Sequence, residues 1–352
     1  MRHRLPGYRR PRNIHPPRRP GRRSTRPTPG RTYLGNTVTD TSILAPAYLD
    51  ARYGSAQADG IYPRTVRHFG GKTVLTEPPT RFVAISTGNL DGAVALGVVP
   101  VASTHNDSGG LVPDYLRATT RATVGDGIRT LDDMLDIGFR TAPDLDLIAS
   151  LEPTLIIASF RGFGGREYAA LSVSGPTVLP EGKGFNWKQD LLLLASAMGR
   201  TDRALDLLGR YSARTAEIAA LYRAAGSPTI SAVRFGPLGL ETHGTWSFCG
   251  SVLSDFGALR PAAQSRHDNG TRRPVTQPIA DLNADLLFYT RVDLATSVAA
   301  WAGAVDAGWN GLPVVAEGRA FEADAASWHG HAGILAAFCI LDQVERAIST
   351  AS

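Results

Sequence analysis

The stretch NWKQDLLLLASAMGRTDRALDLLGRYSARTAEIAALYRAAGSP, running from Asn186 to Pro228, decides how this chain folds. Asn186 is placed to cap a helix beginning at Trp187, and Leu191 to Leu194 form an apolar run. Beyond Gly199, Thr201 or Asp202 offers a second N-cap. Leu208, Tyr211, Thr215, Ile218 and Tyr222 then recur at steps of three and four. Asp206, Arg210, Arg214 and Glu217 are spaced to pair on the opposite side, and Gly226 and Pro228 end the pattern. A helix of roughly 23 residues is about 34 Å long, the width of a small domain. The expectation is one long helix over 186–226; the competing reading is two ordinary helices divided at Gly199.

Both sides of this segment alternate strand-like and helix-like runs. Before it, Arg81–Ser86, Val98–Ser103, Thr154–Ser159 and Pro176–Leu179 read as short strands, with helices at Asp91–Leu96 and Leu145–Leu151. After it, Thr229–Phe235, Asp285–Thr290 and Arg319–Glu322 read as strands, with helices at Ser251–Phe256 and Ser297–Val305. The fold class is therefore α/β: two parallel-sheet α/β lobes joined by a long spanning helix, with a ligand cleft between them. The expected divisions are a disordered basic tail over 1–60, an N-terminal lobe over 61–185, the helix over 186–226, a C-terminal lobe over 227–330 and a C-terminal helix over 331–349.

The net charge of +5 over 352 residues misleads about the folded part. Eleven of the 37 basic residues lie between Arg2 and Arg31, ahead of the first acidic residue, Asp40. The remaining 26 face 32 acidic residues, so the body is mildly acidic and gives no basis for nucleic-acid binding outside the tail. That tail is rich in Arg, Pro and Gly and has too few apolar residues to form a core. It also lacks the apolar run of about 7 to 15 residues that a secretory leader needs. No cysteine stands near the start for lipid attachment, and Cys249 and Cys339 read as two buried thiols whose redox state stays open.

Open α/β sheets bind ligands beyond the carboxyl ends of their strands. Arg161, Arg234 and Arg291 fall at three such places, from both halves, and together favour an anion site. The planar guanidinium fork suits carboxylate, phosphate and catecholate oxygens. Phe160, Phe163, Trp246 and Trp328 lie in Gly- or Ser-containing loops from which they could stack on a flat or bulky ligand. His105, with Asn106 and Asp107, follows a strand and can reach the cleft, with ordinary turn chemistry as the alternative. His243 divides evenly between cleft and hairpin.

Several chemistries are absent from the sequence. Gly70-Gly71-Lys72-Thr73 imitates the end of a phosphate-binding loop, but Val66 stands where its first glycine belongs. No Gly-x-Ser-x-Gly nucleophile elbow occurs. His329-Gly330-His331 has no Cys or paired carboxylate at ligand spacing, so it reads as surface or a helix start. No metal site and no catalytic residues are assigned.

The segments 67–74 (RHFGGKTV), 79–83 (PTRFV) and 96–101 (LGVVPV) resemble the opening of the iron–siderophore-binding proteins of ABC importers. Further matches are 146–156 (DLIASLEPTLI), the Trp187–Arg200 helix and 284–288 (ADLLF). The resemblance runs from about Arg64 to Ala347, and its weight lies in the order of many modest motifs. It implies two lobes on a rigid helix holding a ferric siderophore in the cleft, with no intrinsic cofactor, no protein ligand to the iron and no catalysis. It places Arg161, Arg234, Arg291, Trp246 and Trp328 at comparable lobe edges, and these, with Phe160, His105 and His243 from the reading of the loops and strand ends, are the residues expected to hold the ligand. The chain would be a monomer handing its cargo to an ABC permease on the outer side of the cell membrane, although its sequence leaves a cytoplasmic location open. Family members usually dock through a glutamate on each lobe; the matching positions here are Asp146 and Gln277. Alternatives are a haem or corrinoid carrier, favoured if Trp246 and Trp328 face one planar pocket, and a bilobed cleft enzyme using His105 or His243.

Overall fold

A computed structural model describes residues 52–123, 130–159, 165–236, 239–273, 279–292, 294–306 and 308–351. The chain enters through a hairpin, β1 (Arg64–His68) and β2 (Gly71–Leu75), paired in register Arg64↔Leu75 through His68↔Gly71. The Gly70-Gly71-Lys72-Thr73 sequence is thus a tight turn, with Gly71 at φ +132°.

The first lobe follows. Its strands are β3 (Phe82–Ala84), β4 (Ala102–His105), β5 (Leu135–Phe139), β6 (Ala142–Pro143), β7 (Leu155–Ile157) and β8 (Thr177–Val178). Its helices are α1 (Thr87–Ala95), α2 (Asp114–Thr123), α3 (Leu145–Ser150) and α4 (Gly165–Ser174). The sheet order is β6-β5-β4-β3-β7-β8, parallel except for the β5–β6 pair. Order reverses on either side of β3, which makes the carboxyl ends of β3, β4 and β7 the place where a crevice opens. The central strand β3 is buried at all three residues, as expected of a parallel strand covered on both faces.

The Asn186–Gly226 stretch is two helices, a correction to the single helix expected there. Helix α5 (Trp187–Met198) ends at Gly199, whose left-handed φ 65° and ψ 41° turn the chain before α6 (Thr201–Ala224) begins. A Cβ at residue 199 would meet Gly60 N at 3.1 Å and Tyr62 Oη at 3.1 Å, so glycine serves both the turn and a close approach. The caps also differ from the sequence reading. Asp202 N donates to Asp59 Oδ2 at 2.9 Å, so the start of α6 is capped from outside its own segment. Residues 52–60, placed in the tail by composition, are part of this packing. Ser55 N donates to Ser196 Oγ at 2.7 Å, and Tyr53 stacks on Phe69 at 4.2 Å between ring centroids. Arg64 is fully buried and donates to the carbonyls of Ser196, Ala58 and Ile61, placing a cation on the last turn of α5.

Helix α6 reaches both lobes. Near its start Arg203 Nε donates to Ala95 O at 3.0 Å. Further along, Tyr211 Oη donates to Asp255 Oδ2 at 2.7 Å and Tyr222 packs edge-on against Phe256. The buried Leu208, Tyr211, Thr215, Ile218 and Tyr222 form the apolar face that the spacing predicted.

The second lobe contains β9 (Ile230–Gly236), β10 (Gly239–Thr242), β11 (Thr271–Arg273), β12 (Leu286–Arg291) and β13 (Ala320–Glu322) in the order β11-β10-β9-β12-β13. The β9, β12 and β13 strands are parallel, whereas β10 and β11 form an antiparallel edge. Helices α7 (Phe248–Asp255), α8 (Leu294–Asp306) and α9 (Pro313–Ala316) cover it, and Phe235, Tyr289 and Trp309 pack edge-on in its outer core. Five residues, Ala326–Gly330, then make a π-helical turn. Helix α10 (Ile334–Ala351) returns to pack on α1, α2 and α6. Asp91 on α1 caps it by accepting from Leu335 N at 3.0 Å and Ala336 N at 2.9 Å. The C-terminal helix therefore completes the core of the first half. Among the described residues no helix is long and apolar enough to cross a membrane.

Candidate binding cleft

A cavity of about 730 Å³ lies where the two sheets face each other. Its first wall is built from residues that follow strands: Ser86 and Thr87 after β3, Asn106 and Asp107 after β4, Arg140 after β5, Ser159 after β7 and, further along the loop that leaves β8, Lys183. This is the crevice that the reversal of strand order creates. Ser86 sits at φ +128°, a conformation costly for a residue with a side chain, and its N–H is held by Thr104 Oγ1 at 3.1 Å. The second wall comes from Arg234 on β9, Glu241 on β10, His243, Cys249 at the start of α7, and the Trp328-His329-Gly330 turn.

Arg234 is the central cation. Its Nη1 donates to Glu241 Oε2 at 3.1 Å within the second lobe, and its Nη2 to Asp107 Oδ2 at 3.0 Å on the first lobe. A second tie runs through Gly330 O, which accepts from Thr87 Oγ1 and from Asn106 Nδ2, both at 2.6 Å. Asp190, also on the lining, accepts from Glu181 N and Gly182 N, yet burial pushes its carboxyl up to about 7. His243 is pushed down to about 3, by burial first and then by the charges of Arg234 and Arg260, so it is a neutral imidazole at ordinary pH. Burial likewise holds His329 well below the usual histidine range, with His243 and Arg234 adding to the effect.

The structure brings together only part of the set singled out in the sequence. Arg234, His243 and Trp328 line the cavity, along with Asn106 and Asp107. Arg291 lies outside the lining, held by Glu322 through bonds of 2.8 and 2.7 Å and stacked over Trp301. His105 also lies outside it, its Nδ1 2.9 Å from Asp136 Oδ1. Trp246 is 38% exposed and packs on Phe185, away from the lining. Trp328 is fully buried and stacked on Phe288 at 4.7 Å. Trp246 and Trp328 thus do not face one planar pocket, the arrangement that would favour a macrocycle. Phe160, Arg161 and Gln277 lie outside the described residues. Asp146 stands exposed in the first turn of α3.

Other lining residues were missed. Arg140, Lys183, Phe139, Trp187 and Phe248 line the cavity, and only their positions after strands or at helix starts hinted at it. His329 and His331 are not surface residues. His331 is fully buried, its imidazole pushed down to about 3 by burial, and Tyr115 meets it edge-on.

The two-lobed frame, the helical bridge and a cleft at the strand ends define a class of ligand-capturing binding proteins. The family model for periplasmic binding proteins matches residues 83–326, and the chain belongs to that family. The probable siderophore-binding lipoprotein YfiY of Bacillus subtilis is 29% identical over 80% of this chain and 86% of its own. Among solved structures, Staphylococcus aureus SirA complexed with staphyloferrin B superposes with a TM-score of 0.67 at 24% identity, covering 81% of this chain and 98% of SirA. The triscatecholate siderophore binding protein FeuA of Bacillus subtilis, complexed with ferri-bacillibactin, gives 0.64 at 18%, covering 81% and 98%. At these identities the two structural likenesses speak for the fold.

Proposed function

We propose that this chain binds a ferric siderophore in the cleft between its lobes and delivers it to an ABC permease for iron uptake. The observation that carries this reading is Arg234, which emerges from the second lobe into a cavity also lined by Arg140 and Lys183 from the first. Cations converging from two lobes suit an anionic chelate whose oxygens are distributed around its surface. A cavity of about 730 Å³ is within the range that encloses a ligand of drug size. The names of its relatives, a probable siderophore-binding lipoprotein and an Fe(3+)-citrate-binding protein, support the same cargo.

On this reading the chelator wraps the iron, the protein recognises the chelator, and no bond is made or broken. Phe139, Trp187 and Phe248 supply apolar surface while Arg140, Lys183 and Arg234 compensate charge. Release to a permease requires an exposed contact on each lobe, and Asp146 would supply the first. The site of action would be extracytoplasmic, as the lipoprotein and periplasmic names of the relatives suggest.

Gel filtration with radiolabelled iron tests this. One iron per chain should co-elute when the metal is presented as a ferric citrate, catecholate or hydroxamate chelate, and Arg234→Ala should reduce the amount. Failure of every chelate to co-elute would refute the proposal.

A further inference from the structure

Three side chains separated in sequence meet on the second-lobe wall of the cleft. His243 follows β10, Cys249 is the second residue of α7, and His329 belongs to the Ala326–Gly330 turn. One ligand atom from each lies within 4.8 Å of the other two. The His243 and His329 rings stack with centroids 4.2 Å apart at 23°, and Cys249 Sγ is 3.9 Å from His329 Nδ1. The Nε2 atoms of both histidines are buried and lack a hydrogen-bond partner among the described residues. Buried polar atoms without partners are uncommon, and two of them beside a thiol point to a missing bound species.

We propose that His243, Cys249 and His329 bind a zinc-class divalent ion, with its fourth position facing the cavity. Two imidazoles and a thiolate are a borderline-soft set, suited to Zn²⁺ or Co²⁺ and unlike the oxygen shell that a ferric chelate brings with it. Three protein ligands with one open position leave room for water or for an oxygen of a cleft ligand. Tetrahedral bonds of about 2.0 to 2.3 Å place ligand atoms roughly 3.3 to 3.6 Å apart, so the cluster must contract by about 1 Å at its widest. Both imidazoles are neutral at ordinary pH and have lone pairs to offer. Burial holds the free thiol of Cys249 above its ordinary range, with the charge of nearby Arg260 opposing that; the proton is lost to solvent only as the S–metal bond forms. Arg234, the other neighbouring cation, is compensated by Glu241 and Asp107.

The test uses the reduced full-length protein and Co²⁺ without any chelator, so it stands or falls apart from the siderophore reading. One equivalent should bind with the visible bands of tetrahedral cobalt and a near-ultraviolet sulfur-to-cobalt band, and Zn²⁺ should displace it. Cys249→Ser should abolish the sulfur band while Cys339→Ser retains it. His243→Gln or His329→Gln should weaken binding by more than about tenfold, the lower end of the loss seen for even an outer-shell partner. X-ray absorption of the zinc-loaded wild type should give one sulfur and two imidazole nitrogens, a readout independent of whether any variant folds. Absence of saturable binding, persistence of the sulfur band in Cys249→Ser, or an all-oxygen shell would overturn the proposal.

Discussion

Asp107 on the first lobe and Arg234 on the second meet across the cleft, Oδ2 to Nη2, at 3.0 Å. Arg234 also holds Glu241, and the two contacts differ in environment: the Glu241 side chain is 14% exposed and that of Asp107 is 47% exposed. A half-exposed ion pair contributes about 1 kcal/mol or less, whereas the sheltered pair is screened less. An incoming anion would therefore displace Asp107 and leave Glu241 in place. Asp107→Asn should tighten binding of an anionic ferric chelate by up to about tenfold. Arg234→Ala should weaken it by about tenfold to a hundredfold, the worth of a desolvated charge-assisted bond. Equilibrium titration of both variants checks the pair, and opposite signs are the expected outcome.

Arg64 should be intolerant of replacement. It is fully buried and serves the carbonyls of Ser196, Ala58 and Ile61. Arg64→Met keeps much of the stem but removes every donor, leaving buried acceptors unpaired. A loss on the order of 3 kcal/mol is expected, read from the urea midpoint at an unchanged slope.

Gly333 seals the return of the chain to the first lobe. A Cβ there would lie 2.1 Å from Asp91 Oδ1, the carboxylate that caps α10. Gly333→Ala should push Asp91 off the Leu335 and Ala336 N–H groups and cost about 2 to 4 kcal/mol through overpacking and lost hydrogen bonds. Thermal unfolding measures it, and an unchanged midpoint would show that the seam yields without loss.

The acid limb of stability has a specific contributor in His68, whose Nδ1 accepts from Gly70 N at 3.1 Å and whose Nε2 lies 2.9 Å from Thr73 Oγ1. Burial pushes this imidazole down to about 4 from an ordinary 6.5. Between those values the unfolded chain binds a proton that the folded chain refuses. Its contribution is therefore present above pH 6.5 and is lost as pH falls towards 4. Asp91 and Asp190 act in the opposite sense, since burial raises them to about 6 and about 7 and the folded state keeps their protons longer. His68→Asn should lose less stability than the wild type between pH 7 and pH 4.5, measured by urea unfolding at both values.

The long helical segment shows what was legible and why the rest was not. The Leu208–Tyr222 periodicity identified the buried face of α6 because a 3.6-residue repeat is local information. The break at Gly199 was visible as a possibility, but the reason for it lies in Gly60, Tyr62 and Arg64, far away in sequence. The same distance hid Asp59 as the cap of α6 and placed residues 52–60 with the tail. At the cleft, strand-end reasoning singled out Arg234 and the Asn106–Asp107 turn, which line the cavity, and Arg291, which stands outside the lining because its partner Glu322 lies on β13, paired to β12 in a register that the sequence does not display. His243, Cys249 and His329 carry no ligand spacing along the chain, and only folding makes them neighbours.

The most direct test of cargo capture is a tryptophan-fluorescence titration of the protein with ferric siderophores, using the iron-free chelators, haem and cobalamin as controls. Trp187 and Trp328 line the cavity, so occupancy should register in their emission. The account predicts saturable one-to-one quenching by at least one ferric siderophore, weaker binding of its iron-free form and a reduced affinity in Arg234→Ala. No response to any ferric chelate, or equal responses to haem and cobalamin, would contradict it.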